Sequence, residues 1–572
     1  GMDPDIVGGF NTSQEVVDAL LAIPTLSIAT EMDNLFGQSN GIYVNAKNDG
    51  RTWERPMSLE LLNPDGTGGY QINAGLRIRG GYSRSANNPK HSFRVFFRSD
   101  YGQGNLHYPM FEDEGAEEFD KFDLRTSQNY SWAFGGPANN TMVREVWSRD
   151  TQAAMNQPYT RSRYYHLYLN GQYWGIYMTQ ERVSGTLGES YLGGKKEDFD
   201  TIHQDGSRQI NATSGTIDAY DRLWQQTIDG WTDNDSYFRA QGLEPDGKTV
   251  NPSYERLLDV DNLADYMLIV YYNGDRDGPA SRYTTPRVNN YYGIYNRANP
   301  DGWKFPAHDM EHSLGRGENN MVTPLASAHK DRDEKKYFTA HFLHEQLTSN
   351  QEYAIHFADR FYLRNYNEGL LTEESAKARI AFRAAQIDKA IIAESARWGD
   401  TKSNVPKNRN DWVNNVNMVT DWMTGRNAVV LNQLRTTRLN NSSPYWYPSI
   451  DPPGFSQHGG QVGSSFRLSM IDPNTTAVTI HYTLDGSDPR LIGGAVSSTA
   501  QVVQPSGMQS TILLDSGASA KAFVPTGGAQ GSAWTLPGFD DSAWQSGLSG
   551  IGYDTATTYR SLFGIDVISM RN

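Results

Sequence analysis

The chain has 572 residues, of which 37% are hydrophobic and 12% aromatic, a composition typical of a globular protein with several domains. Asp and Glu outnumber Lys and Arg by 66 to 51, and the net charge of −15 argues against broad, nonspecific binding to nucleic acids or anionic membranes. Cysteine is absent, which excludes disulfides, thiolate metal sites and cysteine nucleophiles, and no apolar run is long enough to predict a transmembrane helix.

The first hundred residues carry local signals of one helix and two strands. Thr12 and Glu15 have the spacing of a capping box ahead of an apolar helical pattern, which predicts a short lead-in helix. Residues 76–79 and 93–98 alternate apolar side chains with arginines, which predicts two strands joined by the loop 80–90.

The middle of the chain predicts a hairpin, a helix and a polar loop. Asn170-Gly171 supplies the positive φ angles that a type I′ turn requires, so residues 166–177 are predicted to form a β-hairpin. Residues 257–272 have a helical pattern, and an Asp/Gly/Pro-rich loop follows at 273–287.

Further strands and helices are predicted in the second half. Strands are expected at 291–296 and 303–307, and helices across 338–398. After Pro444 the composition turns to Ser, Thr, Gly and Pro with short alternating segments such as 478–484, which indicates a separate sandwich-like module.

Basic side chains flank the loop 80–90. Arg79, Arg84 and Lys90 lie beside flexible backbone N–H groups, a combination that proteins use to bind phosphate. The alternative is that they are solvated residues at strand edges.

Acids and amides follow successive predicted strands and the polar loop. They are Asp275, Asp277, Asn290, Asp309 and Glu311. A magnesium-dependent phosphoryl transferase needs such groups, because one acid orients or deprotonates the acceptor while others hold the metal. The alternative is that these acids only stabilise turns and strand ends.

His308 to His312 also spells H-x-x-E-H, a pattern in which two histidines on a helix bind zinc and the Glu acts as base. The motif lies between a predicted strand and a glycine-rich segment, which leaves little room for a helix. A zinc hydrolase therefore stays as a third alternative.

A series of longer motifs follows a fixed order. They occupy residues 75–80 with 89–93, 139–144, 169–177 with Glu181, 258–261, 277–279, 290–292, 305–315 and 393–399. In this order they resemble the CotH family of spore-coat-protein-H-type atypical kinases.

The resemblance implies an α+β fold with an atypical two-lobed, protein-kinase-like domain. Such a domain uses ATP and Mg²⁺ to phosphorylate a protein substrate. The implied catalytic residues are Asp277, with Asp275 as the alternative, and Asn290; the implied nucleotide contacts are Arg79, Arg84, Lys90, Glu181 and His203; the implied metal ligands are Asp309, Glu311 and Asn290.

Two positions depart from the family pattern. Glu311 stands where members often have a second Asp, and His203 stands where they often have a Lys. A histidine lacks the permanent charge of lysine. A non-catalytic extracellular binding or scaffold protein with a degenerate kinase fold is therefore the alternative function.

The C-terminal region carries a second resemblance. Residues 481–490 are similar to the β-sandwich module at the C-terminus of chitobiases and β-hexosaminidases, and residues 534–553 resemble the start of a galactose-binding-like unit that we expect to continue beyond the chain. We therefore expect a secreted or surface-attached bacterial protein that contacts a protein substrate and, through these modules, a carbohydrate or surface polymer. The predicted domains are 1–24, 25–444, 447–525 and 526–572.

Overall fold

The computed structural model describes residues 1–204, 210–279, 281, 289–324, 335–476, 478–503, 517–527, 530–536, 538–556 and 558–570. The polar loop predicted at 273–287 lies partly outside the described residues, at 280 and 282–288. The chain divides into two compact units, Gly1–Val478 with Arg490–Val496 and Thr479–Pro489 with Ser497–Asn572. The predicted domain boundaries stay predictions.

Helices and strands are mixed along the first unit, which confirms the α+β class. The α-helices are α1 (Ser13–Leu20), α2 (Met32–Phe36), α3 (Arg144–Ala154), α4 (Gly185–Tyr191), α5 (Asp218–Asp229), α6 (Asn234–Arg239), α7 (Val260–Asn273), α8 (Ala340–Leu347), α9 (Gln351–Asn365), α10 (Glu373–Ile387), α11 (Ile391–Trp398), α12 (Arg409–Met423) and α13 (Arg426–Thr436).

The longer strands all lie in the first unit, and those after residue 450 are short. The strands are β1 (Thr25–Ala29), β2 (Arg55–Leu62), β3 (Gln71–Arg79), β4 (Ser92–Phe96), β5 (Leu106–His107), β6 (Glu118–Phe119), β7 (Lys121–Arg125), β8 (Tyr164–Leu169), β9 (Gln172–Gln180), β10 (Phe199–Gln204), β11 (Asn211–Ser214), β12 (Tyr291–Asn296), β13 (Gly454–Phe455), β14 (Met470–Ile471), β15 (His481–Tyr482), β16 (Gln501–Val502), β17 (Ser519–Ala522), β18 (Gln545–Leu548), β19 (Ile551–Gly552) and β20 (Ile565–Asp566).

Seven strands form a closed sheet in the order β1-β2-β3-β4-β7-β9-β8. Neighbouring strands are antiparallel except for β1 and β8, whose parallel pairing closes the sheet. Apolar side chains such as Leu76 and Phe93 are fully buried inside it. The two strands predicted around the loop 80–90 are confirmed as β3 and β4, and the predicted hairpin is confirmed as β8 and β9, with Asn170 at φ 47° and Gly171 at φ 77°.

A second, three-stranded sheet has the order β11-β10-β12 and is antiparallel. Its register places His203 of β10 opposite Tyr292 of β12. Cross-strand partners project to the same face of a sheet, so these two rings are neighbours.

Helix α7 is the central helix of the first unit and confirms the helix predicted at 257–272. The Asp259 side chain caps its N-terminus by accepting from the Asn262 N–H. The helix ends at Gly274, which has φ 68° and where an added Cβ would lie 2.2 Å from the Glu318 carbonyl oxygen, so glycine is required. The helix packs against α3, α8, α9 and α13 and delivers the Asp275–Asp277 segment.

The remaining helix predictions agree with the structure. Helix α1 is the predicted lead-in helix, and Thr12 and Glu15 form its capping box. The region predicted to be helical at 338–398 forms α8 to α11, separated by short breaks.

Two predicted strands are shorter than expected. Residues 303–307 form only isolated bridges, because the Phe305 N–H donates to the Asn262 side chain and the Ala307 N–H to the Gln152 side chain instead of to a ladder. Of residues 478–484 only His481–Tyr482 is a strand, since the chain then turns into the Asp485-Gly486 bend. The β-sandwich predicted there stays a prediction.

Among the described helices, none has the length and apolar composition that would let it cross a membrane.

Candidate functional site

A cavity of about 560 Å³ lies in the first unit between the closed sheet and the three-stranded sheet. Its basic wall consists of Arg77, Arg79, Arg84, Arg94 and Arg182. Its acidic and amide wall consists of Asp277, Asn289, Asn290, Asp309 and Glu311.

Sheet register builds the basic wall. Arg77 of β3 is directly opposite Arg94 of β4, and Arg94 is directly opposite Asp123 of β7. Arg79 lies two residues beyond Arg77 and so projects to the same face. The Asp123 carboxylate accepts from Arg79 Nε at 2.7 Å and from Arg94 Nε and Nη2 at 2.5 and 2.9 Å.

Asp123 is ionised within this cluster. Burial alone would raise the pKa of its carboxyl, but the charges of Arg94 and Arg79 hold that pKa well below its usual range. A single buried carboxylate therefore accepts from two guanidinium groups.

Arg84 reaches the cavity from the loop 80–90. Its Nη1 donates to Asp49 at 3.1 Å and its Nη2 to the Ile78 carbonyl at 3.4 Å. Gly80 in this loop has φ 115°, and an added Cβ would lie 2.0 Å from Ser83 Oγ, so the loop requires glycine there. The structure thus places Arg79 and Arg84 at the cavity, and their predicted contact with phosphate stays a prediction.

His203 also lines the cavity. Its ring centroid lies 4.4 Å from that of Tyr292, whose ring centroid lies 4.2 Å from that of His308. The three rings are in contact one after another, tilted to each other by 38° and 53°.

Asp277 and Asp275 differ in their environments. Asp277 lines the cavity, and its carboxylate accepts from Ser281 Oγ at 2.9 Å, Asn289 Nδ2 at 3.1 Å and Asn290 Nδ2 at 3.2 Å. Burial raises the pKa of the Asp277 carboxyl. Asp277 is therefore the acid of this loop that a ligand in the cavity can reach.

Asp275 lies behind Asp277 and is fully buried. Its Oδ1 accepts from the Asp277 N–H at 3.2 Å, and its Oδ2 makes no hydrogen bond within the described ranges. Burial, with the nearby charges of Asp277 and Asp309, raises the pKa of Asp275 well above its usual value. Its contact with the Asp277 N–H supports the loop.

Asp309 is held at the cavity by Arg125 of β7. The Arg125 Nη2 donates to Asp309 Oδ1 and forms an ion pair with Glu145 Oε2 of α3 at 2.9 Å. Burial would raise the pKa of Asp309, but the Arg125 charge holds it well below its usual range. Burial and the Asp309 charge raise the pKa of Glu311 well above its usual value.

The acidic wall has the donor chemistry of a Mg²⁺ site. Glu311 Oε2 and Asp275 Oδ2 are buried and lack a hydrogen-bond partner within the described residues, and the side-chain amides of Asn289 and Asn290 lie nearby. Oxygen donors of this kind fit a hard cation. In the part of the chain that the structure describes, no three acids or histidines form a complete metal site by themselves, so phosphate oxygens would have to complete the coordination.

The H-x-x-E-H segment lacks the helix that a zinc site requires, because residues 308–312 form a turn. His308 Nε2 lies 2.9 Å from Arg79 Nη2, and His308 Nδ1 lies 2.9 Å from Gln180 Nε2. His312 Nδ1 lies 2.7 Å from Tyr130 Oη. The zinc-hydrolase alternative therefore has no structural basis in this segment.

Lys90 does not line the cavity. Its Nζ is buried and donates to Glu394 Oε1 at 2.5 Å and to the Ile176 carbonyl at 3.0 Å. The ion pair with Glu394 of α11 holds the ammonium group in the core. In this structure Lys90 is therefore not positioned for its predicted contact with phosphate.

Glu181 also lies away from the cavity. It accepts from the Arg161 N–H at 2.8 Å and from Tyr191 Oη at 2.5 Å, and burial raises the pKa of its carboxyl. Glu181 therefore has a structural role as a hydrogen-bond acceptor. Its position does not show how it would support a nucleotide in the cavity, as predicted.

Sequence reasoning missed Arg94, Arg182 and Arg125. Arg94 could have been found, since it alternates with Phe93 and Val95 in a strand that flanks the loop 80–90. Arg182 and Arg125 carry no local signal, because their neighbours in space come from distant parts of the chain.

The family model described as CotH kinase protein matches residues 76–430. That range includes every member of the basic wall and of the acidic and amide wall. No curated protein matches the chain.

Proposed function

The chain belongs to the CotH kinase protein family, and on this basis we propose that it is an ATP- and Mg²⁺-dependent atypical protein kinase that transfers phosphate to a protein hydroxyl. The observation that carries the proposal is the cavity in which an arginine wall faces a carboxylate wall. A nucleotide triphosphate chelated to a divalent cation carries both complementary charges. We further propose that the closed sheet and the helical remainder of the first unit act as the two lobes of a kinase-like domain.

The basic wall is the proposed phosphate site. Arg79 and Arg94 share one carboxylate and so retain net positive charge, and among the described residues Arg84 forms its ion pair with the exposed Asp49. Guanidinium groups bind phosphate oxygens in charge-assisted hydrogen bonds. The wall is cationic although the whole chain has a net charge of −15.

The acidic wall is the proposed metal site. Asp309, Glu311 and Asn290 would hold Mg²⁺ together with phosphate oxygens, and the ion would neutralise charge on the phosphates. Asp309 is ionised and Arg125 fixes its position. Burial and the Asp309 charge raise the pKa of Glu311, and a bound cation would favour its ionised form.

Asp277 is the proposed catalytic acid-base group. Three donors, Ser281, Asn289 and Asn290, fix the orientation of its carboxylate at the cavity. An acceptor hydroxyl would donate its proton to Asp277 as its oxygen bonds to the γ-phosphorus of ATP, while the bond from that phosphorus to the β,γ-bridging oxygen breaks and ADP leaves. Burial raises the pKa of Asp277, which makes the carboxylate a stronger base once it is ionised.

Calorimetry with ATP, with and without Mg²⁺, tests the proposal. We expect magnesium-dependent binding in the wild-type chain, its loss in Asp309→Ala, and its retention in Asp421→Ala, an exposed acid of α12 away from the cavity. Transfer of labelled γ-phosphate to a mixed protein acceptor should require Asp277. Absence of ATP binding at millimolar concentration would overturn the kinase proposal.

A non-catalytic binding protein is the second candidate, and His203 is the observation that favours it. The His203 ring contacts the Tyr292 ring at the cavity and carries no permanent charge where the family pattern often has lysine. If the chain binds Mg-ATP but transfers no phosphate, and His203→Lys restores transfer, His203 is what disables the site. If neither form binds ATP, the scaffold candidate replaces the kinase.

We also propose a secreted or cell-surface location and contact of the C-terminal region with a carbohydrate or surface polymer. The support is the resemblance of residues 481–490 and 534–553 to modules that accompany extracellular enzymes. Binding of the chain to insoluble polysaccharides, compared with a variant truncated after residue 444, tests the contact.

A further inference from the structure

Three arginines at the cavity surround one carboxylate. Arg79 and Arg94 both donate to Asp123, and Arg182, which follows β9, lies within electrostatic reach of all three. Asp123 neutralises one of the three positive charges. The cluster therefore holds an excess of positive charge in a partly desolvated place, which is unfavourable unless an anion binds.

Arg182 is the member of this cluster without a partner. Within the described part of the chain its guanidinium makes neither a hydrogen bond nor an ion pair, whereas Arg79 and Arg94 are each fixed by Asp123. Burial, followed by the Arg94 charge, lowers the pKa of Arg182. The side chain lies near the like charges of Arg94 and Arg79, and Asp123 offsets them through its charge without a direct contact.

Arg79 and Arg94 also have N–H groups that can donate to a ligand. Arg79 uses Nε and Nη2, and Arg94 uses Nε and Nη2, while neither Nη1 makes a hydrogen bond in the described ranges. Together with the guanidinium of Arg182, these open donors belong to three side chains that line one part of the cavity.

We propose that Arg182 is a specificity-determining anchor for polyphosphate, binding the terminal phosphate groups of the ligand together with Arg79 and Arg94. A phosphate group offers several acceptor oxygens and up to two negative charges, which suits three converging guanidinium groups better than one carboxylate does. The inference rests on the proposed function in placing a nucleotide's phosphates in this cavity, but it concerns a residue that the family motifs do not include.

The acidic residues that face the arginine cluster restrict the kind of anion that can bind in the cavity. Asp277 and Asp309 line the same cavity and would repel a simple anion that filled it. A linear polyphosphate can keep its terminal groups at the arginines while a divalent cation bound to it lies toward the carboxylates. Inorganic tripolyphosphate is therefore the probe that isolates the phosphate contribution from the nucleoside.

Titration of the whole chain with tripolyphosphate at low salt tests Arg182 directly. We expect Arg182→Gln to weaken binding by roughly tenfold or more, the usual effect of losing a charge-assisted hydrogen bond. Arg182→Lys should lie between wild type and Arg182→Gln, because it keeps the charge but loses the planar fork. The matched control is Arg222→Gln, a half-exposed arginine of α5 paired with Glu255, which should bind like wild type.

Thermal unfolding separates a binding role from a structural one. Among the described residues Arg182 makes no hydrogen bond or ion pair through its guanidinium, so Arg182→Gln should leave the melting temperature unchanged or raise it by relieving repulsion. Arg94→Gln should lower it, because Asp123 loses a bidentate partner. Wild-type tripolyphosphate affinity in Arg182→Gln, or a fall in its melting temperature equal to that of Arg94→Gln, would overturn the inference.

The outcomes also separate this inference from the proposed function. Tripolyphosphate binding that depends on Arg182, without Mg-ATP binding, would keep the anion anchor and remove the kinase. Mg-ATP binding that Arg182→Gln does not change would keep the kinase and remove the anchor.

Discussion

Asp309 reaches the cavity from a left-handed backbone position, with φ 56°, and Arg125 holds it there. Arg125 is fully buried and its Nη2 also forms an ion pair with the nearly buried Glu145 of α3, so one guanidinium joins the closed sheet, a helix and the proposed metal site. A non-glycine residue persists in this conformation only when its surroundings fix it.

Removing Arg125 should therefore destabilise the first unit strongly. We expect Arg125→Met to lower the free energy of unfolding by about 3–5 kcal/mol, because Asp309 loses its cationic partner and the buried Glu145 keeps Arg149 at 3.9 Å in place of Arg125 at 2.9 Å. Urea unfolding followed by tryptophan fluorescence measures the change. Arg222→Gln, which breaks an exposed pair, should cost less than about 1 kcal/mol. Equal effects of the two changes would contradict the role assigned to Arg125.

The two acids of the 273–287 loop should respond differently to substitution. Asp277→Asn removes the base at the cavity and should lower phosphate transfer by about 10²–10⁴-fold while Mg-ATP still binds. Asp275 is fully buried and does not line the cavity, so Asp275→Asn should change transfer by only a few fold. Single-turnover transfer with saturating ATP is the measurement. Loss of transfer in Asp275→Asn alone would reverse the assignment.

The parts predicted well from sequence are those fixed by neighbouring residues. The Asn170-Gly171 turn, the capping box at Thr12 and the alternation around Arg94 depend on contacts within a few positions. The choice between Asp275 and Asp277 could not be made, because burial depends on the packing of the whole unit.

The features of the site that could not be predicted from the sequence depend on ion pairs between residues far apart in the chain. Lys90 has the motif of a phosphate contact, yet its position is decided by Glu394, which lies 304 residues away in the chain. Arg125 finds Asp309 across 184 residues. No periodicity or local spacing records such a pairing, so it could not be derived from the sequence.

The buried pair of Lys90 and Glu394 provides a test of the Lys90 prediction. Lys90→Met should lower the free energy of unfolding by about 3–5 kcal/mol, because it leaves Glu394 buried and unpaired. The double variant Lys90→Met with Glu394→Leu should recover much of this loss, since neither charge remains. Equilibrium unfolding of the two single variants and the double variant gives the coupling energy.

ATP binding by the folded double variant decides between the two roles of Lys90. The structure leads us to expect unchanged affinity, because the ammonium group does not reach the cavity. A tenfold loss of affinity in a double variant that unfolds like wild type would instead support the phosphate contact.

His344 should make the stability of the first unit depend on pH. Its ring is fully buried in α8, with Nδ1 2.7 Å from Tyr353 Oη, and burial lowers its pKa from 6.5 to about 3. Above pH 6.5 the ring is neutral in both the folded and the unfolded chain, so it contributes no pH dependence. Between pH 6.5 and about 3 only the unfolded chain binds the proton, so the free energy of unfolding falls as the pH falls.

The loss attributable to this one proton approaches about 1.4 kcal/mol per pH unit below pH 6. His166 and His312, whose pKa values burial lowers to about 4, add to the wild-type slope. His344→Gln keeps an acceptor for Tyr353 but binds no proton. Between pH 6 and 4.5 its free energy of unfolding should therefore fall less steeply with falling pH than that of wild type, and the difference in slope should correspond to one bound proton. Urea unfolding at a series of pH values gives both slopes, with the exposed His458→Gln as the control. Parallel slopes for wild type and His344→Gln would mean that the folded chain admits the charged ring.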